Sequence, residues 1–331
     1  MPDYQPPFTR NEIVSLLAEI SEAAGRLAVL SDQASELRLR RVNRIRSVTG
    51  SLAIEGNTLS EEQVTAILDG KRVFAPPREI QEAHNALIAY EQMADWQPSQ
   101  EADLLSAHQQ LMRGLIDSAG AYRQGGVGIM KGDTVLHMAP PANQVPRLMR
   151  QLFEWLANTD AHPLIASSVF HYEFEFIHPF ADGNGRIGRL WQTLLLSQWQ
   201  PLFASLPVES LVHRHQQAYY LAINQSTVQT DSAPFILFML KMVRDALEAA
   251  ATPEVTPEVT PEVERLLAVI AGEMSSQQLM AAMGLKDEKH FRQHYRQPAL
   301  AAGVIEMTQP NTPRSSRQRY RLTSLGRSYQ A

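Results

Sequence analysis

The most informative segment of this sequence covers residues 178–189 and reads His178-Pro179-Phe180-Ala181-Asp182-Gly183-Asn184-Gly185-Arg186-Ile187-Gly188-Arg189. An aromatic-rich stretch from Leu164 to Ile177 precedes it, and a second apolar stretch from Ile187 to Trp199 follows it. Both stretches have helical periodicity, and Pro179 cannot continue the first helix. We therefore predict a loop that joins two apolar helices.

This loop carries the side chains that phosphate chemistry requires. The Gly-Asn-Gly turn at 183–185 opens a helix, so its backbone N–H groups are unbonded and the helix dipole favours an anion beside them. Arg186 and Arg189 are three residues apart, so both can reach one phosphate chain. Asp182 suits Mg²⁺, and His178 suits a general base. The segment therefore predicts chemistry on a nucleotide phosphate.

The same residues resemble the signature of Fic-domain proteins, His-x-Phe-x-(Asp/Glu)-Gly-Asn-Gly-Arg-x-x-Arg, at every defined position. The resemblance extends over residues 40–245. It implies a mainly α fold, with a Fic helical core and a small β-hairpin flap, that transfers AMP from ATP to a Ser, Thr or Tyr hydroxyl of a target protein. Transfer of UMP, phosphate or phosphocholine, and removal of AMP, stay open as alternatives, although Gly185 favours AMP.

The resemblance also implies a role for each residue of the segment. His178 is expected to deprotonate the target hydroxyl, Asp182 to hold Mg²⁺ on the phosphates of ATP, and Phe180 to anchor the loop in the core. Adenine is expected to stack on an aromatic ring. The residues expected to bind the nucleotide are Asp182, Gly183, Asn184, Gly185, Arg186, Arg189 and Tyr220.

A second, shorter motif lies upstream and reads Ser51-Leu52-Ala53-Ile54-Glu55-Gly56. It resembles the family's inhibitory motif, (Ser/Thr)-x-x-x-Glu-(Gly/Asn). Ser51 and Glu55 are four residues apart and share one helix face, while Gly56 suits a helix C-cap. The resemblance implies that Glu55 pairs with Arg189 and takes the place of the ATP γ-phosphate.

One region of the helical body is predicted to be a hairpin. Residues 125–130 and 134–137 flank Lys131-Gly132-Asp133 and are followed by Pro140-Pro141, a pattern typical of two short strands. The resemblance implies a flap, with Val135, Leu136 and His137 on the strand that pairs with an extended target segment by strand addition.

Composition limits the class of protein. Hydrophobic residues make up 44% of the 331 and charged residues 20%, which excludes disordered and fibrous chains. The absence of cysteine excludes disulfides and thiolate chemistry. We see neither a signal peptide nor an apolar run of the roughly 18 residues that a membrane span needs. We therefore expect a cytoplasmic protein without membrane contact, and the resemblance implies a homodimer.

Three Thr-Pro-Glu-Val repeats at 252–263 indicate a spacer, because each proline interrupts a helix. Residues 264–331 carry ten basic and five acidic residues, a net charge of +5, which leaves −10 for the rest. We predict an N-terminal helical region that contains the inhibitory helix, a Fic core, the spacer and a basic domain, at 1–95, 96–249, 250–263 and 264–331. Predicted helices cover 32–55, 78–94, 101–116, 144–157, 163–177, 186–198 and 234–249, with capping boxes at Thr9/Glu12 and Ser60/Gln63.

The basic domain is predicted to be a winged helix-turn-helix. Thr260 caps a first helix, Ser275 with Gln278 starts a second that ends at Gly284, and Asp287 caps a third. Two strands at 304–307 and 319–322 follow, around an Arg-rich loop at 314–319. The third helix carries the basic side chains Lys289, Arg292 and Arg296. Such a domain binds either DNA or a protein partner, and both readings stay open.

Two rival functions remain open. His171, Glu175 and His178 lie at i, i+4 and i+7 of one helix, a spacing that suits a metal-dependent hydrolase. Alternatively, the chain is a non-enzymatic winged-helix DNA-binding regulator with a degenerate helical body. The first leaves the Gly-Asn-Gly turn and both arginines unused, and the second leaves the intact 178–189 segment unexplained.

Overall fold

The computed structural model describes residues 11–30, 33–131, 134–251, 260–309, 315, 317–323, 326–327 and 329. The chain forms two compact units, residues 1–251 and 252–331. Four sequence predictions lie outside the described residues: the Thr9 cap, the 132–133 turn, most of the spacer, and part of the loop at 314–319.

The first unit is mainly helical, as predicted. In chain order its helices are α1 (Asn11–Leu30), α2 (Gln33–Ile54), α3 (Glu61–Leu68), α4 (Pro77–Gln92), α5 (Glu101–Leu111), α6 (Val145–Asn158), α7 (Pro163–Ile177), α8 (Asn184–Trp199), α9 (Val208–Arg214), α10 (Gln216–Gln229) and α11 (Ala233–Ala251). Among the described residues, no helix combines the length and the apolar character that a membrane span requires.

Helices α7 and α8 form the centre of this unit, and the 178–183 loop joins them. One side of the pair packs on apolar side chains of α2 to α6, and the other side packs on α1 and α9 to α11. Because both helices are buried, the loop is supported from several directions. Helix α2, which carries Ser51, lies along α9.

Two local predictions can be compared with the helix ends. The capping box of Ser60 and Gln63 is present at the start of α3. The helix predicted over 101–116 ends at Leu111, so the prediction of helix over 112–116 is wrong. There the Asn85 side chain donates to Leu111 O at 3.1 Å and Arg113 O at 2.8 Å, and so binds carbonyls that a longer helix would use.

The predicted hairpin is present as β1 (Gly128–Lys131) and β2 (Thr134–Met138). The strands are antiparallel, with Gly128 opposite Met138 and Lys131 opposite Thr134, and the register shifts between Ile129 and Met130. Such an irregularity is a β-bulge, which bends and twists the strand.

The second unit contains α12 (Pro261–Val269), α13 (Ser276–Met283), α14 (Glu288–Phe291), α15 (Gln297–Ala301), β3 (Ile305–Met307) and β4 (Tyr320–Leu322). The predicted caps at Thr260, Ser275 and Asp287 are all present. The predicted third helix contains a π-helical turn, Arg292–Arg296, between α14 and α15. Pro298 has no N–H to donate to the preceding turn, which favours this wider turn. The order of elements agrees with a winged helix, which stays a prediction.

Candidate nucleotide site

The loop between α7 and α8 begins at His178, whose backbone is left-handed with φ 49° and ψ 61°. Gly183 is also left-handed, with φ 85°, and caps the start of α8. The buried Asn184 side chain accepts from Phe180 N and donates to Phe180 O, each at 2.9 Å. This amide therefore braces the loop, and any contact of Asn184 with a phosphate is left to its backbone N–H.

Phe180 and His108 hold the loop on the core. The Phe180 ring is fully buried and stacks on the His108 ring with centroids 3.6 Å apart. Gly120 N donates to His108 Nδ1 at 2.9 Å, so Nε2 carries the proton and donates to Asp182 O at 3.0 Å. Burial lowers the pKa of His108 to about 4, which keeps the ring neutral. Nothing in the sequence pattern distinguished His108 from other helical histidines.

Arg189 lies on the first turns of α8, and its guanidinium is bound by the end of α2. Nε donates to Ser51 Oγ at 3.0 Å, and Nη2 donates to Ser51 O at 2.9 Å and to Glu55 Oε1 at 2.8 Å. Burial disfavours the charge of Arg189, but Glu55 and neighbouring acidic groups outweigh it and raise its pKa. Nη1 is buried without a hydrogen-bond partner in the described structure, so its two N–H donors remain available.

Glu55 also lies against the Gly-Asn-Gly turn. A Cβ atom at Gly185 would collide with Glu55 Oε1 and would lie 2.9 Å from Arg189 Nη1. Glycine at this position therefore lets a carboxylate approach the start of α8, where unbonded N–H groups attract anions. Gly56 follows with φ 89° and ends the turn after α2.

Asp182 and Arg186 form a polar network with α4. Asp182 Oδ1 accepts from Gly183 N at 2.6 Å and from Arg186 Nη2 at 2.9 Å, while Arg78 Nη2 donates to Oδ2 at 3.2 Å. Arg186 Nη1 also donates to Glu82 Oε1 at 3.3 Å. Sequence reasoning missed Arg78 and Glu82, because no local pattern links α4 to the loop.

Glu175 is a second buried carboxyl group beside the loop. Burial raises the pKa of Glu175 to about 8, against the lowering effect of Arg189, so the group is largely protonated at neutral pH. Its Oε2 lies 3.7 Å from His178 Nδ1. In the sequence, the spacing of Glu175 indicates only the metal-hydrolase alternative.

The structure gives that alternative no metal centre. Both ring nitrogens of His171 are engaged, Nδ1 with Gln192 Oε1 at 2.6 Å and Nε2 with Tyr219 OH at 3.1 Å. Within the described part of the chain, no three histidine or acidic side chains are arranged to hold a metal ion.

Residues at the ends of α2 and α7, on α8 and on α10 surround a cavity of about 230 Å³. One wall belongs to α10, where Tyr220 is 39% exposed and Tyr219 is buried. The cavity is smaller than the roughly 300–1,000 Å³ of most small-molecule sites. Its lining includes Glu55, His178, Gly185, Arg189, Tyr219, Tyr220, Ile223, Asn224 and Thr227.

The structure thus brings together predicted residues from three separate segments. His178, Gly185, Arg189, Glu55 and Tyr220 all line this cavity. Ser51 lies behind it, bonded to Arg189, and Asp182 with Arg186 lies on the α4 side. For Val135, Leu136 and His137 the structure describes the backbone of β2 only, so the flap stays a prediction.

Known proteins resemble this chain in sequence and in fold. Residues 98–196 match the Fic/DOC family, and residues 261–323 match the C-terminal domain of the Filamentation induced by cAMP protein Fic-like family. A crystal structure of a Fic family protein from Desulfovibrio desulfuricans G20 is 55% identical with a TM-score of 0.74. That match covers 97% of this chain and 99% of the other.

Two curated relatives are more distant. Protein adenylyltransferase Fic of Nematostella vectensis is 27% identical over 212 residues, which are 60% of this chain and 47% of that protein. The protein of the same name from Aedes aegypti is 27% identical over 218 residues, 62% of this chain and 41% of that protein. The chain therefore spans less than half the length of these two relatives. The nearly end-to-end match at 55% identity confirms the resemblance, and the chain belongs to the Fic family.

Proposed function

We propose that this protein transfers AMP from ATP to a Ser, Thr or Tyr hydroxyl of a target protein. The observation that carries the proposal is that His178, the start of α8 and Arg189 line one cavity. That cavity therefore offers a base, unbonded N–H groups and a cation to one nucleotide. Curated relatives named protein adenylyltransferase support the choice of AMP.

The chemistry follows from these positions. The target hydroxyl oxygen attacks the α-phosphorus, a new P–O bond forms, and the α–β bridging P–O bond breaks to release pyrophosphate. The hydroxyl proton passes to His178. The backbone N–H groups at the start of α8, with Arg186 and Arg189, stabilise the charge that spreads over the phosphoryl oxygens. Tyr220 forms an aromatic wall for the adenine.

The residues present also fit Mg²⁺. Protein sites for this ion commonly supply one or two carboxylates and leave the remaining positions to substrate phosphates and water. The Asp182 side chain is 40% exposed and lies next to the phosphate-binding turn, so Asp182 would hold the ion. When bound, Mg²⁺ supplies neutralisation of the phosphate charge.

We propose further that Glu55 inhibits the enzyme. Its carboxylate binds Arg189 and lies against Gly185, the place that a γ-phosphate needs. Helix α2 is held there by Gln216, whose Nε2 donates to Ile54 O at 2.7 Å. Productive ATP binding therefore requires Glu55 to leave the guanidinium. Removal of AMP by the same site remains an alternative to its transfer.

The experiment is mass spectrometry of full-length Glu55→Gly protein incubated with ATP and Mg²⁺. An adduct of about 329 Da on the protein is expected, the mass of one AMP group added by nucleotidyl transfer. The Glu55→Gly/His178→Ala double variant serves as the matched control and should carry no adduct. An unmodified Glu55→Gly protein would refute the proposal, and a different adduct mass would indicate another transferred group.

For the second unit we propose a winged helix that contacts DNA. Lys289 and Arg292 are exposed, whereas Arg296 is engaged inside the unit, with Nη1 2.8 Å from Ser276 Oγ and the guanidinium 5.5 Å from the Tyr320 ring centre. The two exposed cations supply phosphate contacts. A protein partner is the other possible ligand of this unit, and retention on duplex DNA distinguishes the two. The homodimer and the cytoplasmic location stay predictions.

A further inference from the structure

Arg123 is a buried arginine that lies beside the start of the catalytic loop and is 4% exposed. Its Nε donates to His178 O at 2.7 Å, and its Nη2 donates to Ile177 O at 3.3 Å. Its backbone N–H donates to Pro179 O at 3.0 Å. Three successive carbonyls around the catalytic histidine are therefore bound by one residue.

The same guanidinium holds both ends of the hairpin. Nη1 donates to Gly125 O at 2.8 Å, just before β1, and Nη2 donates to Pro140 O at 2.6 Å, just after β2. Between them, Ala139 N donates to Val127 O at 3.3 Å and closes the hairpin base. Arg123 is thus a direct mechanical link between the hairpin and the loop.

The loop needs such a link because of its backbone. His178 has φ 49° and ψ 61°, a left-handed conformation that non-glycine residues rarely adopt. Such conformations persist only where the surrounding structure holds them in place. The guanidinium of Arg123 meets that requirement, because it binds the carbonyl of His178 and that of the preceding Ile177.

We propose that Arg123 is a positioning residue that fixes the base of the hairpin relative to His178. This inference rests on the proposed function, in which the hairpin receives the target and His178 accepts the proton. A target segment paired with the hairpin is then delivered at a set distance from the imidazole. Lysine cannot replace Arg123, because one ammonium group lacks the planar fork that reaches carbonyls on both sides.

The test compares Arg123→Lys with the matched control Arg147→Lys, both in full-length Glu55→Gly protein. Arg147 is exposed and bonds only to the Gln144 and Gln151 side chains among its described contacts. Hydrogen exchange by mass spectrometry follows peptides over 124–141 and 177–184, and calorimetry gives the Kd for ATP. The rate of AMP incorporation is measured in parallel.

Arg123→Lys should speed hydrogen exchange in both peptides and slow AMP incorporation about 10- to 100-fold, the range that a misplacement of about 1 Å produces. The Kd for ATP should change far less than the rate, because Arg123 contacts neither Arg189 nor Tyr220 in the described structure. Arg147→Lys should change none of these quantities. His178→Ala should leave the hairpin peptide protected, since the carbonyl at 178 remains.

Unchanged exchange in either peptide, or a loss of ATP binding in proportion to the rate, would overturn the proposal. If the Glu55→Gly parent incorporates no AMP, the proposed function fails, but the exchange comparison still decides whether Arg123 links the two segments. If Arg123→Lys does not fold, Arg123→Gln gives the same comparison. Failure of both variants to fold would assign Arg123 a purely structural role.

Discussion

Replacing Glu55 should release the enzyme by an amount that follows from the geometry of its ion pair. Glu55 Oε1 lies 2.8 Å from Arg189 Nη2, and the two side chains are 34% and 2% exposed. Removing one partner of a fully buried pair costs about 3–5 kcal/mol. Because Glu55 is partly screened by solvent, we expect about 1.5–3 kcal/mol, the range for hydrogen bonds to charged groups.

Under the proposed inhibition, ATP must overcome this free energy before its γ-phosphate can reach Arg189. Since each 1.4 kcal/mol is a factor of ten, Glu55→Gly should raise the initial rate of AMP incorporation about 10- to 150-fold at subsaturating ATP. Glu55→Gln keeps the shape and a neutral hydrogen bond, which contributes only about 0.5–1.5 kcal/mol. It should therefore give an intermediate rate.

The assay is incorporation of AMP from ATP labelled at the α-phosphate, followed over time for wild type and both variants. Glu61→Gln, at the exposed start of α3, controls for the loss of a nearby glutamate and should behave as wild type. Equal rates for wild type and Glu55→Gly would refute the inhibitory role of the ion pair. A Glu55→Gln rate equal to that of wild type would show that charge is not what Arg189 recognises.

Three further predictions concern stability and the second unit. Gly50→Ala should destabilise the protein by about 1–3 kcal/mol, because the added Cβ would lie 2.6 Å from Ser210 N. Gly25→Ala, on α1 with no atom near the added Cβ, should instead stabilise the protein by about 0.5–1 kcal/mol. Urea unfolding measures both changes. Burial lowers the pKa of His108 from 6.5 to about 4, so the unfolded chain binds more protons, and the free energy of unfolding should fall by about 3 kcal/mol as pH drops from 7 to 4. In urea unfolding, His108→Gln should lose less free energy of unfolding over this pH range than wild type. An equal loss would contradict this assignment. Full-length protein should be retained on immobilised duplex DNA at low salt, and a chain lacking residues 264–331 should not; no retention of the full-length chain would favour a protein partner.

Local sequence carried the information for each part of the 178–183 loop and its flanking helices. Pro179 ends α7, Gly183 accepts the left-handed φ that starts α8, and the capping pairs mark the starts of α3 and α13. These signals act within a few residues, so they can be read along the chain. Helix α10 was not predicted, because its apolar residues do not collect on one face.

The contacts between distant segments could not be read in this way. Arg123 and His108 carry no motif, and their partners lie 55 and 74 residues away. The resemblance to Fic proteins anticipated that Glu55 pairs with Arg189 across 134 residues, but the Ser51 carbonyl and the close approach to Gly185 emerged only from the packing of α2 on α9.

By itself, the sequence determined a glycine-rich loop between two buried helices, a hairpin, and a basic second unit, because helix ends, turns and charge are local properties. Only the tertiary structure decided which side chains act together: Glu55 on Arg189, His108 under Phe180, and Arg123 between the hairpin and His178. The physical reason is that a buried ion pair or a bound carbonyl needs two groups within hydrogen-bonding distance, and only the packing of helices far apart in the chain provides that distance.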